Sequence, residues 1–340
     1  MNKKMKKLEG ITLLKLLAAV QVLYLHLIVH YGLVPWKISG IDVLGELLSP
    51  FQGVPIFFAL SGYFIWKSLS NKEIAVKEYA YRRFVRIYPE LWVTVCFSVL
   101  AIIILYRNSI SIVPFLAWIF TQSTVMQFWT PTCLRGYGVG CPNGALWTVT
   151  VFVQFYILVF ILHRLLHGKS KFKWGGVLLV AVLLNVIPGF FENSMPEILF
   201  KLYQQTVFPY LSIFLFAAFI AEHENKLKRP LNCKWTCFVL YVVLAIGLPV
   251  DFTGAGYAIV RSALVTIFAI AFGNTVKCGL LKKDISYEIY LVHMPIANIF
   301  VELLKQQSWV TFIITIVITI ILAFALYCLN NTVIQKMENN

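Results

Sequence analysis

Long apolar stretches separated by short basic clusters set the pattern of this chain. Stretches of roughly 20 residues, enough to cross about 30 Å of hydrocarbon, begin near Ile11, Pro50, Tyr88, Ala145, Trp174, Thr206, Lys234, Tyr257, Asp284 and Trp309. They predict ten transmembrane helices. An eleventh apolar segment, Ile112 to Met126, is shorter and contains Pro114, so length alone leaves open whether it crosses.

Charge decides between the two topologies. If Ile112 to Met126 does not cross, the basic connections Met1 to Lys7, Lys67 to Arg86, His163 to Lys173, Glu222 to Lys234 and Lys277 to Lys283 all fall on one side, as the positive-inside rule requires. If it does cross, the later clusters move to the opposite face. The expectation is therefore an all-α polytopic membrane protein of about ten transmembrane helices with both termini cytoplasmic. Ile112 to Met126 is then a re-entrant or interfacial piece held against protein. The connections Pro35 to Ser49, Arg107 to Gly144, Glu192 to Gln205, Asp251 to Gly256 and Lys305 to Ser308 face outward. Ile11 to Leu33 is too long for a signal-peptide core and reads as a retained first helix.

Composition agrees. With 59% hydrophobic and 13% charged residues and a mean hydropathy of +0.78, a soluble globular domain is excluded. The net charge of +14 is spread over the short inter-span clusters, so it reads as topological and predicts no nucleic-acid partner. No polar connection is long enough for a separate soluble domain. Residues 1–340 are expected to form one transmembrane domain.

The candidate chemistry lies inside the spans. His26 sits deep in the first apolar stretch, after a lone Lys15. An ionisable side chain in hydrocarbon costs about 3 kcal/mol or more on insertion scales, and it usually faces a protein interior or a water-filled path. His26 and His30 share a helix face, as a metal pair would, but no carboxylate accompanies them and no metal site is expected. His163 and His167 repeat the spacing at a basic helix end, where an interfacial polar end is the simpler reading. Cys133 and Cys141 lie together on a glycine-rich outer loop and are the candidate disulfide pair. Cys233 and Cys237 read as ordinary membrane-helix cysteines.

The stretch Tyr79-Ala-Tyr-Arg-Arg-Phe-Val-Arg-Ile-Tyr-Pro gathers Arg82, Arg83 and Arg86 at a membrane boundary. Their planar forks suit bidentate contacts to phosphate. The same cluster also fits a stop-transfer signal that fixes topology or contacts anionic lipid.

Taken in order, five segments resemble the integral membrane acyltransferases called acyltransferase 3, over nearly the whole chain. Lys15 to His26 is similar to the family's first-helix pattern, Gly53 to Ile65 with Ser61-Gly62 to its second-helix signature, and Arg82 to Pro89 to its arginine motif. Leu146-Trp147 with Gln154-Phe-Tyr156, and Ser286-Tyr-Glu-Ile-Tyr-Leu-Val-His293-Met-Pro295, resemble the two later motifs. Two departures matter. Lys15 replaces the usual Arg, keeping the charge but losing the fork, and Phe152 stands where many members have Glu.

The resemblance implies transfer of an acyl group, most often acetyl, from cytoplasmic acyl-CoA to a hydroxyl of a surface glycan or lipid-linked glycan at a bacterial cytoplasmic (inner) membrane. The CoA phosphates cannot enter hydrocarbon, so Lys15, Arg82, Arg83 and Arg86 would hold them while the pantetheine arm reaches inward. His26 lies about 22 Å along the helix from Ile11, in the outer half of the membrane. A neutral imidazole there takes the proton of an attacking hydroxyl; a covalent acyl-histidine is the open alternative. His293 would orient the donor, stabilise the oxyanion, or tie two helices together. Ser61 with Gly62 reads as close helix packing, and Trp147 as packing near the site or the outer interface.

Two rival readings stand. One is a transporter or flippase for a glycan or small acid with His26 as a protonation switch, although such carriers commonly use buried carboxylates and Glu288, Glu302 and Asp251 fall toward helix ends or a loop. The other is a lipid-binding scaffold, which would tolerate loss of His26.

Overall fold

The computed structural model describes residues 3–71, 73–191, 194–246, 257–278, 283–304 and 306–338. In chain order the helices are α1 (Lys3–Tyr31), α2 (Val43–Leu48), α3 (Gly53–Asn71), α4 (Val76–Tyr106), α5 (Ile112–Ser123), α6 (Trp147–Leu166) and α7 (Lys171–Phe190). They continue as α8 (Glu197–Gln204), α9 (Leu211–Glu222), α10 (Glu224–Leu231), α11 (Lys234–Ile246), α12 (Tyr257–Thr275), α13 (Ser286–Leu303) and α14 (Trp309–Glu338). The protein is an all-α polytopic membrane protein.

Each of the ten expected spans contains a helix, but they are unequal. Among the described residues six helices are long and apolar enough to cross a membrane, or seven if α8 and the helix after it, bent by 56°, form one broken span. α11 and α12 are shorter apolar helices, and the expected outer connection between them, Asp251 to Gly256, lies outside the described residues. α13 is long enough, yet Glu288, His293, Asn298 and Glu302 dilute its hydropathy. Those polar groups are affordable because the helix is buried almost continuously from Ser286 to Asn298. Ile112 to Met126 contributes only the 12-residue α5, about 18 Å by helical rise and too short to span.

Two connections carry structure that periodicity did not show. Lys37–Ile38 pairs antiparallel with Ile41–Asp42 across a two-residue turn in which Ser39 and Gly40 both take positive φ, 51° and 84°, the geometry that matches strand twist. Asp42 Oδ1 then accepts the Gly45 N–H at 2.9 Å and caps α2. The basic connection Glu222 to Lys234 forms α10.

The chain divides into two units. The first comprises Met1–Gln21, Lys37–Ile74 and Val151–Asp284. Its core joins Ile11, Leu14 and Ala18 of α1 to Ile56 and Leu60 of α3 and to Val265, Phe268 and Ala269 of α12. α3 lies directly on α9: a Cβ at Gly62 would stand 2.3 Å from the Phe214 carbonyl oxygen, so only glycine permits that approach. α1 meets α12 in the same way at Gly10, where a Cβ would stand 2.4 Å from the Val276 carbonyl oxygen.

The second unit comprises Val22–Trp36, Ala75–Thr150 and Ile285–Asn340. α13 packs on α14 and α4. A satellite core of Ile102, Phe115, Trp118, Leu134 and Tyr137 fixes α5 and the following loop against α4.

Candidate functional site

In the second unit α1 and α13 bring the two motif histidines together. His26 Nδ1 lies 2.8 Å from His293 Nε2, and the rings stack at 5.1 Å and 23°. Tyr31 Oη, 2.7 Å from Thr315 Oγ1, and the edge contact of Tyr24 with Phe312 at 6.2 Å hold this part of α1 on α14. His26 is partly exposed, whereas His293 is buried.

The tautomers follow from the group at the far end. His293 Nδ1 lies 3.1 Å from the Ile289 carbonyl, which can only accept, so Nδ1 carries the proton. In a neutral His293, Nε2 is then the acceptor. His26 must donate to it through Nδ1–H, which leaves the lone pair of His26 on Nε2. The pair thus presents one basic nitrogen, on the more exposed ring. His30 stands one turn away with its centroid 5.5 Å from that of His26.

Pro295 shapes the helix around His293. Lacking an N–H, it leaves the Leu291 carbonyl without its helical donor. Asn143 Nδ2 fills the gap at 2.9 Å. Three further residues of α13 bind the same loop or the start of α6. Tyr290 Oη donates to the Ala145 carbonyl at 2.5 Å and lies 2.8 Å from Thr148 Oγ1. Asn298 accepts from Val139 N at 2.9 Å and donates to the Cys141 and Pro142 carbonyls at 3.0 and 2.8 Å. Glu302 accepts from Gly138 N at 2.5 Å. Gly138 takes φ +56°, and a Cβ there would meet Asn298 Oδ1 at 2.0 Å. Trp147, partly buried, begins α6 at the end of this loop.

The expected disulfide is not formed. Cys133 and Cys141 are both free; Cys133 packs beside the Leu134–Tyr137 cluster, while Cys141 Sγ lies 3.3 Å from Thr130 Oγ1.

The arginine motif sits on α4 in the same unit, and its members have different neighbours. Arg82 pairs with Glu78 at 2.5 Å, Arg83 lies over the Tyr79 ring at 5.4 Å, and Arg86 lies over the Tyr287 ring at 5.8 Å. Tyr287 Oη donates to the Ile87 carbonyl at 3.2 Å. Tyr287 precedes His293 by six residues, about 9 Å along α13, so one helix connects the arginine cluster to the histidine pair.

Glu288 lies in the first turn of α13, toward a helix end as expected, and it is buried beside Glu90, which is buried too. Asn330 Nδ2 donates to Glu90 Oε1. Sequence spacing gave no sign of this pair because its members are on different helices.

The remaining expected residues belong to the first unit. Lys15 Nζ is paired with Asp284 Oδ2 at 3.0 Å. Ser61, partly buried, has no base beside it among the described residues, and its neighbour Gly62 makes the close contact with α9. Phe152 packs edge-on against Phe58 at 5.0 Å, an apolar place in which an acid would need a partner. His163 and His167 are more than a polar end: His163 Nε2 lies 3.0 Å from Ser70 Oγ, and His167 Nδ1 lies 2.9 Å from Glu222 Oε2. Arg261 of α12, which the apolar pattern passed over, is fully buried. Among the described residues no three His, Cys, Asp or Glu side chains are grouped to hold a metal ion.

No solved structure matches. The chain is similar to nodulation protein 10 of Rhizobium leguminosarum bv. viciae, 27% identical over 355 aligned residues that cover 96% of this chain and 93% of the relative. Residues 8–328 match the family described as acyltransferase domain, and the chain therefore belongs to the acyltransferase 3 family.

Proposed function

We propose that this acyltransferase moves an acyl group, acetyl in the first instance, from cytoplasmic acyl-CoA to a hydroxyl of an envelope glycan, with His26 as general base. The observation that carries the reading is the ordered hydrogen-bond chain from the Ile289 carbonyl through His293 to His26 Nδ1, which leaves His26 Nε2 as the available base.

The step balances on that nitrogen. His26 Nε2 takes the hydroxyl proton as the oxygen attacks the thioester carbonyl carbon. The tetrahedral intermediate collapses to the ester and expels the thiolate of CoA, which recovers the proton from His26 Nε2. While the imidazolium exists, its Nδ1–H bond to neutral His293 Nε2 is charge-assisted and therefore stronger. His293 is a positioning residue in this scheme. Arg82, Arg83 and Arg86 offer the phosphate-binding end, and Tyr287 seats Arg86 on the helix that carries His293. Acyl-CoA supplies the activated acyl group; no metal is assigned a step. Trp147 packs beside the loop that covers this part of α13.

The test is mass spectrometry of envelope glycans from cells that make the wild type, His26→Ala or neither, with membrane levels of the two forms matched by immunoblot. A hydroxyl-linked acyl increment present with wild type alone supports the reading. An increment that persists in His26→Ala sinks the role of His26, and none in any sample sinks the acceptor or the enzyme reading.

A second reading, transport of a glycan or small acid, is favoured by one observation, the buried Glu90 and Glu288 pair, since proton-coupled carriers use such carboxylates. It expects proton-driven uptake in vesicles that Glu288→Gln abolishes.

A further inference from the structure

The first unit carries a concave site made only of cations and amides. Asn225, Lys226, Lys228, Arg229 and Asn232 line a cavity of about 470 Å³ on α10. By helical spacing Asn225, Lys228, Arg229 and Asn232 share one side of that helix, and Leu227 and Leu231 share the other; Leu231 is buried.

The acids nearest in sequence are already engaged. Glu222 accepts from Trp66 Nε1 at 2.7 Å, from Gly168 N at 2.8 Å and from His167 Nδ1 at 2.9 Å. Glu224 is paired with Lys67. Among the described residues Lys226, Lys228 and Arg229 have no carboxylate partner. Three like charges in one concavity repel each other, and their field attracts a counter-ion from outside the chain.

The position of α10 selects the counter-ion. The apolar helices α9 and α11 flank it directly in the chain, so its polar side lies at the level of lipid headgroups, as expected of an interfacial amphipathic segment. Three cations exceed the single charge of a simple phosphodiester. The fork of Arg229 suits bidentate contact with phosphate oxygens; Asn225 adds a neutral donor, and Asn232 Nδ2, which gives one N–H to the Lys228 carbonyl at 2.8 Å, has a second.

We propose that the cavity on α10 binds the phosphates of an anionic membrane lipid whose headgroup carries two negative charges. Basic pockets at helix ends recognise such headgroups by the same chemistry. The site is independent of the acyl-transfer reading.

The probe is cardiolipin. Full-length protein is reconstituted in phosphatidylcholine nanodiscs with a small fraction of cardiolipin, released, and weighed by native mass spectrometry. The wild type and a control that removes two cations elsewhere, Lys169→Gln/Lys173→Gln, are expected to retain one cardiolipin. Lys226→Gln/Lys228→Gln/Arg229→Gln is expected to lose it, with at least a tenfold fall in occupancy. Arg229→Lys keeps the charge, removes the fork and should fall between them, which keeps the test available if the triple variant does not fold. Equal retention in all four forms overturns the proposal, and so does an equal loss in the control. Adenosine 3′,5′-bisphosphate provides the arm for a soluble source: if it occupies the α10 site in the wild type and displaces cardiolipin at equal concentration, the lipid assignment is overturned.

Discussion

Asn143 and Leu291 are joined across the second unit by a bond that a proline makes necessary. The Leu291 carbonyl loses its helical donor at Pro295, and Asn143 Nδ2 replaces it at 2.9 Å. A buried carbonyl without a partner costs about 1 to 3 kcal/mol. The loop that supplies Asn143 and the helix that supplies His293 are therefore coupled within two residues of the histidine pair.

Replacing His26 by Ala should lower acyl transfer by about 10² to 10⁴, the range for removal of a general base. The check is the acylated fraction of envelope glycan at matched protein level. A loss below threefold would show that another group takes the proton.

In the proposed mechanism His293 acts through His26, and its variants should separate geometry from packing. His293→Ala removes the acceptor for His26 Nδ1–H; a hydrogen bond to a charged group contributes about 1.5 to 3 kcal/mol, which corresponds to a fall in kcat of roughly 10- to 100-fold. His293→Gln, whose side-chain oxygen can accept, should recover part of it. Equal loss in both variants, with thermal stability unchanged, would remove the positioning role.

Arg86→Lys keeps the charge and loses the fork that lies over the Tyr287 ring. The expected result is a rise of about tenfold in KM for acyl-CoA with a smaller change in kcat, because a phosphate contact remote from the thioester is uniform binding. Kinetics on the reconstituted enzyme decide it.

Gly62→Ala places a methyl group 2.3 Å from the Phe214 carbonyl oxygen. Overpacking of this kind costs about 1 to 3 kcal/mol. Detergent-solubilised protein should lose its thermal transition at a lower temperature, while Ser61→Ala, next to it and without a base, should leave both stability and turnover near wild type.

Much of the framework was legible before any coordinates. The ten expected spans each contain a helix because burial in a bilayer imposes a length and a composition on the segment itself. His26 and His293 were legible as separate motifs, and Ser61-Gly62 as a packing site, since small residues at helix contacts announce themselves locally. What stayed hidden depends on pairs far apart in the chain. Glu90 against Glu288, Lys15 against Asp284 and Asn298 against Gly138 to Pro142 leave no periodic trace, because each is set by how helices meet. The same applies to α13, whose polar residues lower its hydropathy while its surroundings bury it. The hairpin at Lys37–Asp42 was missed because two residues of strand are too few to show alternation.

Asn298 satisfies one backbone N–H and two carbonyls of a single loop, and its side chain has no capacity left on Nδ2 for another donor role. The path of the segment from Val139 to Pro142 is consequently dictated from α13 rather than by its own side chains. Exposed positions next to it, such as Arg135, can then be exchanged for residues of other size or charge while the main chain keeps its course. Variation between relatives at this surface could alter what the loop touches and leave the histidines where they are.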